Sequence, residues 1–266
     1  MASEDDLWSV LGLAVLQGLT EFLPVSSSGH LVLGRELFGL RSIDGVLITV
    51  ALHVGTLVAV LGVYGRDLLK LVADAFGGRP RELGLIVLGS LPAAAVGLGL
   101  GDVLEPLFES PNVAAGGLLA TALILMVGES ARRRMGDPVS SEVENTIGWG
   151  TALTIGCAQA LAICPGISRS GSTIAAGLLC GLHAPRAARF SFLLSLPAVG
   201  GAALLEAKDL ESLPSGEIRD LTLGLVVSAV VGLLALKLLL VALRRGSFPW
   251  FAAYCTLAGG SWFLFG

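Results

Sequence analysis

Two segments decide how this chain can fold: residues 17–30, QGLTEFLPVSSSGH, and residues 159–172, QALAICPGISRSGS. They interrupt the long apolar stretches 7–38 and 147–182 with a proline, a Ser-Gly turn and ionisable side chains. Ionisable groups at membrane depth are costly and usually functional, and a broken helix is tolerated there only where it lines a cavity or is buried in protein. The combination predicts a phosphate site built inside a membrane.

The composition is that of a membrane protein. Of 266 residues, 54% are hydrophobic and only 14% are charged, whereas soluble domains carry about 25% charged residues. The net charge of -4 is small and the basic residues are scattered, which argues against nucleic-acid binding. The four cysteines show no metal-binding spacing. We therefore expect a single membrane domain over residues 1–266.

The charges between the apolar stretches predict the topology, because Lys and Arg mark the cytoplasmic side of a membrane. Basic residues cluster at 66–81, 132–134, 186–189 and 244–245, and acidic residues at 102–109 and 206–220. This alternation predicts six crossings with both termini outside. They are 46–64, 83–100, 113–127, 187–205, 221–243 and 248–265. The stretches 7–38 and 147–182 must then each begin and end on one side, as oppositely inserted re-entrant helical hairpins.

The two interrupted segments match each other at an offset of 142 residues. The matched pairs are Gln17 with Gln159, Leu19 with Leu161, Ser26 with Ser168, Ser28 with Ser170 and Gly29 with Gly171. Chance similarity of two Gly/Ser-rich turns is the alternative. Inverted repeats with discontinuous helices place their binding site near the bilayer midplane. We therefore expect an all-α polytopic fold with inverted-topology repeats at approximately 7–134 and 146–266.

The first tip is predicted to be an anion site. Pro24 ends one helix, and Ser26 or Ser27 can cap a new helix that begins near Gly29. The free N–H groups of that helix, together with the hydroxyls of Ser26, Ser27 and Ser28, suit a phosphate. The alternative is that the serines only cap a buried helix and bind no phosphate.

Gln17 and Glu21 are spaced i, i+4 and so share one helix face. Glu21 has no basic neighbour in sequence, which suits it to proton transfer or, with a cation supplied, to metal binding. A salt bridge to an arginine elsewhere is the structural alternative. His30 follows Gly29 and could shuttle a proton or attack phosphorus. For His53, hydrogen bonding between helices is the favoured role.

The second tip carries Arg169, the counterpart of Ser27 under the repeat. If the tips meet, its guanidinium faces the serine cluster and can clamp phosphate oxygens in two directions. Snorkelling to the membrane surface is the alternative. Further phosphate-binding candidates at this tip are Ser168, Ser170, Gly171 and Thr173.

The motifs EFLPVSSSGH and PGISRSG, together with FSFLLSLP at residues 190–197, resemble the bacterial undecaprenyl-diphosphate phosphatases, the bacitracin-resistance family. The resemblance covers essentially the whole chain. One departure is Gln17, since many members carry Glu there and an auxiliary carboxylate is therefore missing. Gln17 is then expected to support the site rather than to hold a metal.

This resemblance implies an integral membrane enzyme of the bacterial inner membrane that hydrolyses undecaprenyl diphosphate to the monophosphate and inorganic phosphate. The reaction recycles the lipid carrier of cell-wall synthesis and confers bacitracin resistance. It implies a divalent cation, Mg²⁺ or Ca²⁺, with Glu21 as its ligand, and a site open to the periplasmic side. Glu21, Ser27, His30 and Arg169 are the expected catalytic residues.

Two points stay open on sequence. Ser27, His30 or an activated water could attack phosphorus, and we favour Ser27 because the break at Pro24 can fold Glu21 back towards its hydroxyl. A lipid-phosphate transporter or flippase using the same site is the competing function, and a lipid-sequestering protein is a weaker one. The expected partner is the polyprenyl diphosphate lipid, and a homodimer is compatible with the sequence.

Overall fold

The computed structural model describes residues 4–38, 45–135, 146–206, 215–244 and 248–265, and within these ranges all regular structure is helical. The first half contains α1 (Glu4–Phe22), α2 (Ser27–Phe38), α3 (Gly45–Phe76), α4 (Arg81–Gly99), α5 (Gly101–Leu104), the 3₁₀ helix η1 (Glu105–Glu109) and α6 (Pro111–Met135). The second contains α7 (Trp149–Leu161), α8 (Arg169–Leu179), α9 (Ala184–Glu206), α10 (Ser215–Arg244) and α11 (Phe248–Phe265). The all-α prediction is confirmed.

Four described helices are long and apolar enough to cross a membrane. They are Ile48–Phe76, Arg81–Gly99, Pro111–Met135 and Ile218–Leu243. These correspond to four of the six predicted crossings, and the chain is a multi-pass membrane protein. The other two, in α9 and α11, stay predictions, and the apolar character of α11 is diluted by Trp, Tyr, Gly and Thr.

Several of the basic residues expected in loops lie within helices instead. Arg66 and Lys70 belong to α3, which runs twelve residues beyond the predicted end at Tyr64, and Arg132–Arg134 form the last turn of α6. Lys and Arg are good helix formers whose long stems can cover apolar surface, so these helices continue past their apolar runs. Arg245 and most of the acidic segment 206–220 lie outside the described residues.

Both predicted helix breaks are present. The first separates α1 from α2 at residues 23–26, beside Pro24, and the second separates α7 from α8 at residues 162–168. Ser26 accepts a hydrogen bond from the Gly29 N–H (3.3 Å), and Ser168 accepts one from the Gly171 N–H (3.1 Å). Each new helix is therefore capped by a serine. The cap at Ser26 was predicted, whereas Ser168 was predicted only as a phosphate ligand.

Small residues allow the helices around the breaks to approach closely. A Cβ atom added to Gly166, whose φ is +87°, would lie 2.0 Å from the Ala114 carbonyl oxygen of α6. One added to Gly29 would lie 2.8 Å from the Gly166 Cα atom, so the two breaks meet backbone to backbone. Close approach through small residues is a common way for helices to associate in membranes.

Gly117 tests this contact, because its neighbour Gly116 is a matched control. A Cβ atom on Gly117 would lie 2.3 Å from the Pro165 carbonyl oxygen, whereas one on Gly116 would meet no heavy atom within 4 Å. Gly117→Ala should cost about 1–3 kcal/mol of stability by overpacking and lower the melting temperature in detergent. Gly116→Ala should leave it unchanged or slightly raised. Equal effects of the two substitutions would contradict this contact.

Candidate functional site

The candidate site is centred on Glu21, in the last turn of α1. Its neighbour Phe22 is fully buried and packs edge-on against Phe192 of α9, with ring centroids 5.7 Å apart. Phe192 lies in the FSFLLSLP motif, so this motif helps to fix the end of α1. Gln17, one turn earlier, donates from Nε2 to Glu21 Oε2 over 2.9 Å. The carboxylate is thereby held at the first break.

Arg169 is the first residue of α8, and it donates through one terminal nitrogen to Glu21 Oε1. The pair joins two residues 148 positions apart, and both side chains are largely buried. The salt-bridge alternative for Glu21 is therefore present, and its partner is the predicted catalytic arginine. The other terminal nitrogen, Nη1, is buried and has no hydrogen-bond partner among the described residues. The guanidinium can thus bind a further acceptor.

Ser27, the first residue of α2, donates from Oγ to Glu21 Oε2 over 2.5 Å. The chain reverses between the two residues, and the carboxylate comes within proton-accepting reach of the hydroxyl, as the position of Pro24 suggests. Because Ser27 and Ser28 begin α2, their backbone N–H groups have no acceptor within the helix. Both serines are half-buried. Hydroxyl, carboxylate and guanidinium therefore form one connected cluster.

His53 of α3 also reaches Glu21 of α1, which agrees with the expected role between helices, although the sequence did not identify Glu21 as its partner. Its Nε2 atom lies 3.4 Å from Glu21 Oε2, and its Nδ1 atom lies 2.7 Å from the Thr49 carbonyl oxygen. A signal was available, because an ionisable residue inside a membrane helix marks a functional site by default. Glu21 is thus surrounded by two basic side chains that are distant from it in sequence.

His30 lies in the first turn of α2, and the described hydrogen bonds of its ring go to neither Glu21 nor Ser27. Its Nδ1 atom lies 2.7 Å from the Ser26 carbonyl oxygen, which can only accept, so Nδ1 carries the proton. Its Nε2 atom then accepts from the Tyr254 hydroxyl at 2.7 Å, and the two rings stack. Both nitrogens are engaged, which suits His30 to holding the break and not to attacking phosphorus. Ser26 is held at φ +68°, a conformation rare for serine.

The remaining predicted serines cross-link the two tips. Ser26 and Ser28 hydroxyls lie 3.2 Å apart, and those of Ser168 and Ser170 lie 3.3 Å apart. Across the interface, the Gly166 N–H donates to Ser28 Oγ and Ser170 Oγ donates to the Leu23 carbonyl. These hydroxyls therefore already serve a structural purpose, and their binding of phosphate stays a prediction.

Two threonines brace the second tip. Thr121 of α6 donates to the Gly166 carbonyl and accepts from the Ser168 N–H, both over 2.8 Å. Nothing in the sequence around Thr121 indicated this role. Thr173, a predicted phosphate ligand, donates to the Arg169 carbonyl over 2.7 Å, and its hydroxyl lies 2.5 Å from Ser191 Oγ. The structure therefore places Thr173 where it orients the start of α8.

The oxygen atoms of the site suit a cation that arrives bound to a phosphate. They are less suited to a metal ion that the protein alone would hold. Within the described ranges, no group of three or more His, Cys, Asp or Glu side chains could enclose a metal ion. Glu21 supplies one carboxylate, and Gln17 Oε1 beside it is buried without a hydrogen-bond partner in this part of the chain. Mg²⁺ is commonly held by one or two carboxylates together with substrate phosphates. The donor set fits that mode.

Comparison with known proteins agrees with this site. Residues 10–261 match the family described as "Bacitracin resistance protein BacA". A protein of Desulfosudis oleivorans named undecaprenyl-diphosphatase is 44% identical, with 93% of this chain and 94% of the relative covered. Proteins with the same name from Desulfatibacillum aliphaticivorans and Geobacter metallireducens are each 41% identical over 95% of this chain and 96% of theirs. The chain belongs to the bacitracin resistance protein BacA family.

Proposed function

We propose that this protein hydrolyses undecaprenyl diphosphate to undecaprenyl phosphate and inorganic phosphate. The relatives' name supports the substrate, and the four apolar helices agree with a lipid substrate. One observation carries the chemistry: Ser27 Oγ and the Arg169 guanidinium converge on the two oxygens of Glu21, and Arg169 Nη1 has no described partner. The cluster contains a nucleophile, a base and a phosphate-binding group, and all three belong to the same chain.

We place this site near the midplane of the bacterial inner membrane, between two oppositely inserted hairpins. Matched packing supports the inverted repeat: α1 packs on α2 and α10, and α7 packs on α8 and α4. Under the repeat, α1 corresponds to α7 and α10 corresponds to α4. The contact of α1 with α10 is therefore equivalent to the contact of α7 with α4. The equivalent caps at Ser26 and Ser168 support it further. Residues 102–109 contain no Lys or Arg, which favours a periplasmic position for this segment, and the site is proposed to open on that side.

In this proposal Ser27 attacks the terminal phosphorus of the lipid diphosphate. Its proton passes to Glu21, a bond forms between Oγ and phosphorus, and the bond between that phosphorus and the bridging oxygen breaks. Undecaprenyl phosphate departs, and the proton leaves Glu21 with it or to water. A water molecule then gives a proton to Glu21 and attacks the phosphoserine, and Glu21 returns that proton to Ser27 Oγ. Inorganic phosphate is released.

Arg169 changes partner during this reaction. Without substrate it neutralises Glu21, which lowers the cost of keeping a carboxylate in an apolar bundle. A diphosphate offers more negative charge and several oxygens, so the guanidinium can bind it through Nη1 and release the carboxylate to accept a proton. The developing charge on the phosphoryl oxygens then meets a fixed positive group and the first N–H groups of α2.

We propose that a divalent cation, Mg²⁺ or Ca²⁺, accompanies the diphosphate. Glu21 and the Gln17 Oε1 atom are the protein oxygens available to it. When bound, it would neutralise charge on the phosphate oxygens. This role is compatible with the absence of a glutamate at position 17, because the substrate itself provides most of the ligands.

Transport of the lipid phosphate across the membrane is the alternative function. Inverted repeats commonly serve alternating access, but transport does not require a hydroxyl hydrogen-bonded to a carboxylate. Attack by a serine nucleophile does, and Ser27 and Glu21 meet this requirement. Phosphate release by the purified protein in detergent separates the two, because an enzyme needs no second compartment.

Arg169→Lys is expected to lower phosphate release by about a hundredfold while the protein stays folded. Lysine keeps the charge but supplies a point charge where two phosphate oxygens need a planar bidentate donor. Arg79→Lys is the control, because Arg79 pairs with Asp74 at an exposed position. Turnover should be compared for both variants in detergent. Near-normal turnover of Arg169→Lys would reassign Arg169 to structure alone.

Ser27→Ala is expected to abolish phosphate release but to retain binding of a non-hydrolysable diphosphonate lipid, because Arg169 and the helix N–H groups remain. Losing a nucleophile costs many orders of magnitude in rate. His30→Gln should retain measurable turnover, because an amide preserves one of the two hydrogen bonds of the imidazole. Release by Ser27→Ala above about a tenth of normal, far from the losses expected, would favour attack by an activated water.

A further inference from the structure

A second charged site lies outside the candidate active site, where α3, α4 and α9 meet. A cleft there is lined by three arginines, Arg81, Arg186 and Arg189, and by Glu82. We call it the arginine cleft. Asp67 of α3 pairs with one of these arginines at its edge. None of these residues belongs to the catalytic cluster or to the two helix breaks.

The ion pairs of the arginine cleft leave positive charge uncompensated. Arg189 contacts Asp67 over 2.7 Å and Glu82 over 3.7 Å, and Arg186 contacts Glu82 over 3.4 Å. Arg81 donates to the Ile147 carbonyl oxygen and contributes a third guanidinium. Three arginines against two carboxylates leave one formal positive charge. The Arg186 Nε atom is buried and lacks a hydrogen-bond partner within the described ranges, so an acceptor is missing.

Apolar side chains form the rest of the wall. Leu71 of α3, Ile86 of α4 and Phe190 of α9 are all buried and line the same cleft as the arginines. The 32 residues of α3 correspond to about 48 Å at 1.5 Å per residue, and a hydrocarbon core is about 30 Å thick. The last turns of α3 therefore reach the headgroup region. Charged and apolar groups meet there at the depth of a lipid phosphate.

We propose that the arginine cleft binds an anionic phospholipid. Its phosphodiester would accept hydrogen bonds from the partly exposed Arg186 and Arg189 guanidiniums, and its acyl chains would remain in the surrounding bilayer. Basic pockets between membrane helices on the cytoplasmic side take anionic headgroups in this way. The residual charge and the unpaired Arg186 Nε select an anion over a zwitterion. This lipid is a structural ligand and is distinct from the substrate.

Native mass spectrometry of delipidated protein tests this proposal with short-chain phosphatidylglycerol and phosphatidylcholine. We expect preferential binding of phosphatidylglycerol. Arg186→Gln should weaken this binding about fivefold, the contribution of one arginine near a membrane surface, and should not change phosphatidylcholine binding. Arg66→Gln is the matched control, since Arg66 is exposed on α3 and does not line the cleft. Its affinities should match the wild type.

The Glu82→Gln substitution distinguishes a lipid-binding site from an ion-pair network that is purely structural. It removes the carboxylate that competes for Arg186 and Arg189, so phosphatidylglycerol affinity should rise even if the melting temperature falls. A structural network alone predicts a loss of stability without a gain in affinity, and that result would overturn the proposal. Equal binding of the two lipids would also overturn it. Displacement of phosphatidylglycerol by equimolar inorganic phosphate would assign the cleft to free phosphate instead.

Discussion

The ion pair between Glu21 and Arg169 joins the two halves of the molecule at the point where each half interrupts its helices. Neither charge is tolerable alone in an apolar bundle, because removing one partner of a buried pair leaves an uncompensated charge. Each charged residue therefore depends on the correct position of the break that carries its partner. The caps at Ser26 and Ser168 and the glycine contact between the breaks hold the pair in register.

The same constraint explains why so many polar groups surround the pair. A helix break frees backbone donors and acceptors that water cannot reach inside a membrane, so protein groups must satisfy them. Thr121 does this at the second break, and His30, held by Tyr254, does it at the first. Ser27 and one terminal nitrogen of Arg169 are directed at Glu21 instead, and the other terminal nitrogen of Arg169 has no partner among the described residues. Structural and reactive groups are thus separated within a short stretch of sequence.

The sequence predicted the helical fold, both breaks and the capping serine of the first break because each depends on local rules of proline, serine and helix geometry. It also identified Glu21, Ser27 and Arg169 as unusual residues for an apolar setting. It could not show that Arg169 reaches Glu21 and not the serines, or that His53 joins them, since both contacts depend on the packing of distant helices. Tyr254 and Thr121 had no local signal. The apolar stretches located the helices, but α3 extends beyond its apolar stretch through its basic residues.

The coupling free energy between Glu21 and Arg169 tests this account most directly. It can be measured by a double-mutant cycle of Glu21→Gln and Arg169→Gln with reversible unfolding in mixed micelles. We expect each single substitution to cost about 3 kcal/mol and the double substitution to cost little more than one of them. The coupling should then exceed about 1 kcal/mol. Additive losses would show that the two side chains act independently and would contradict the account.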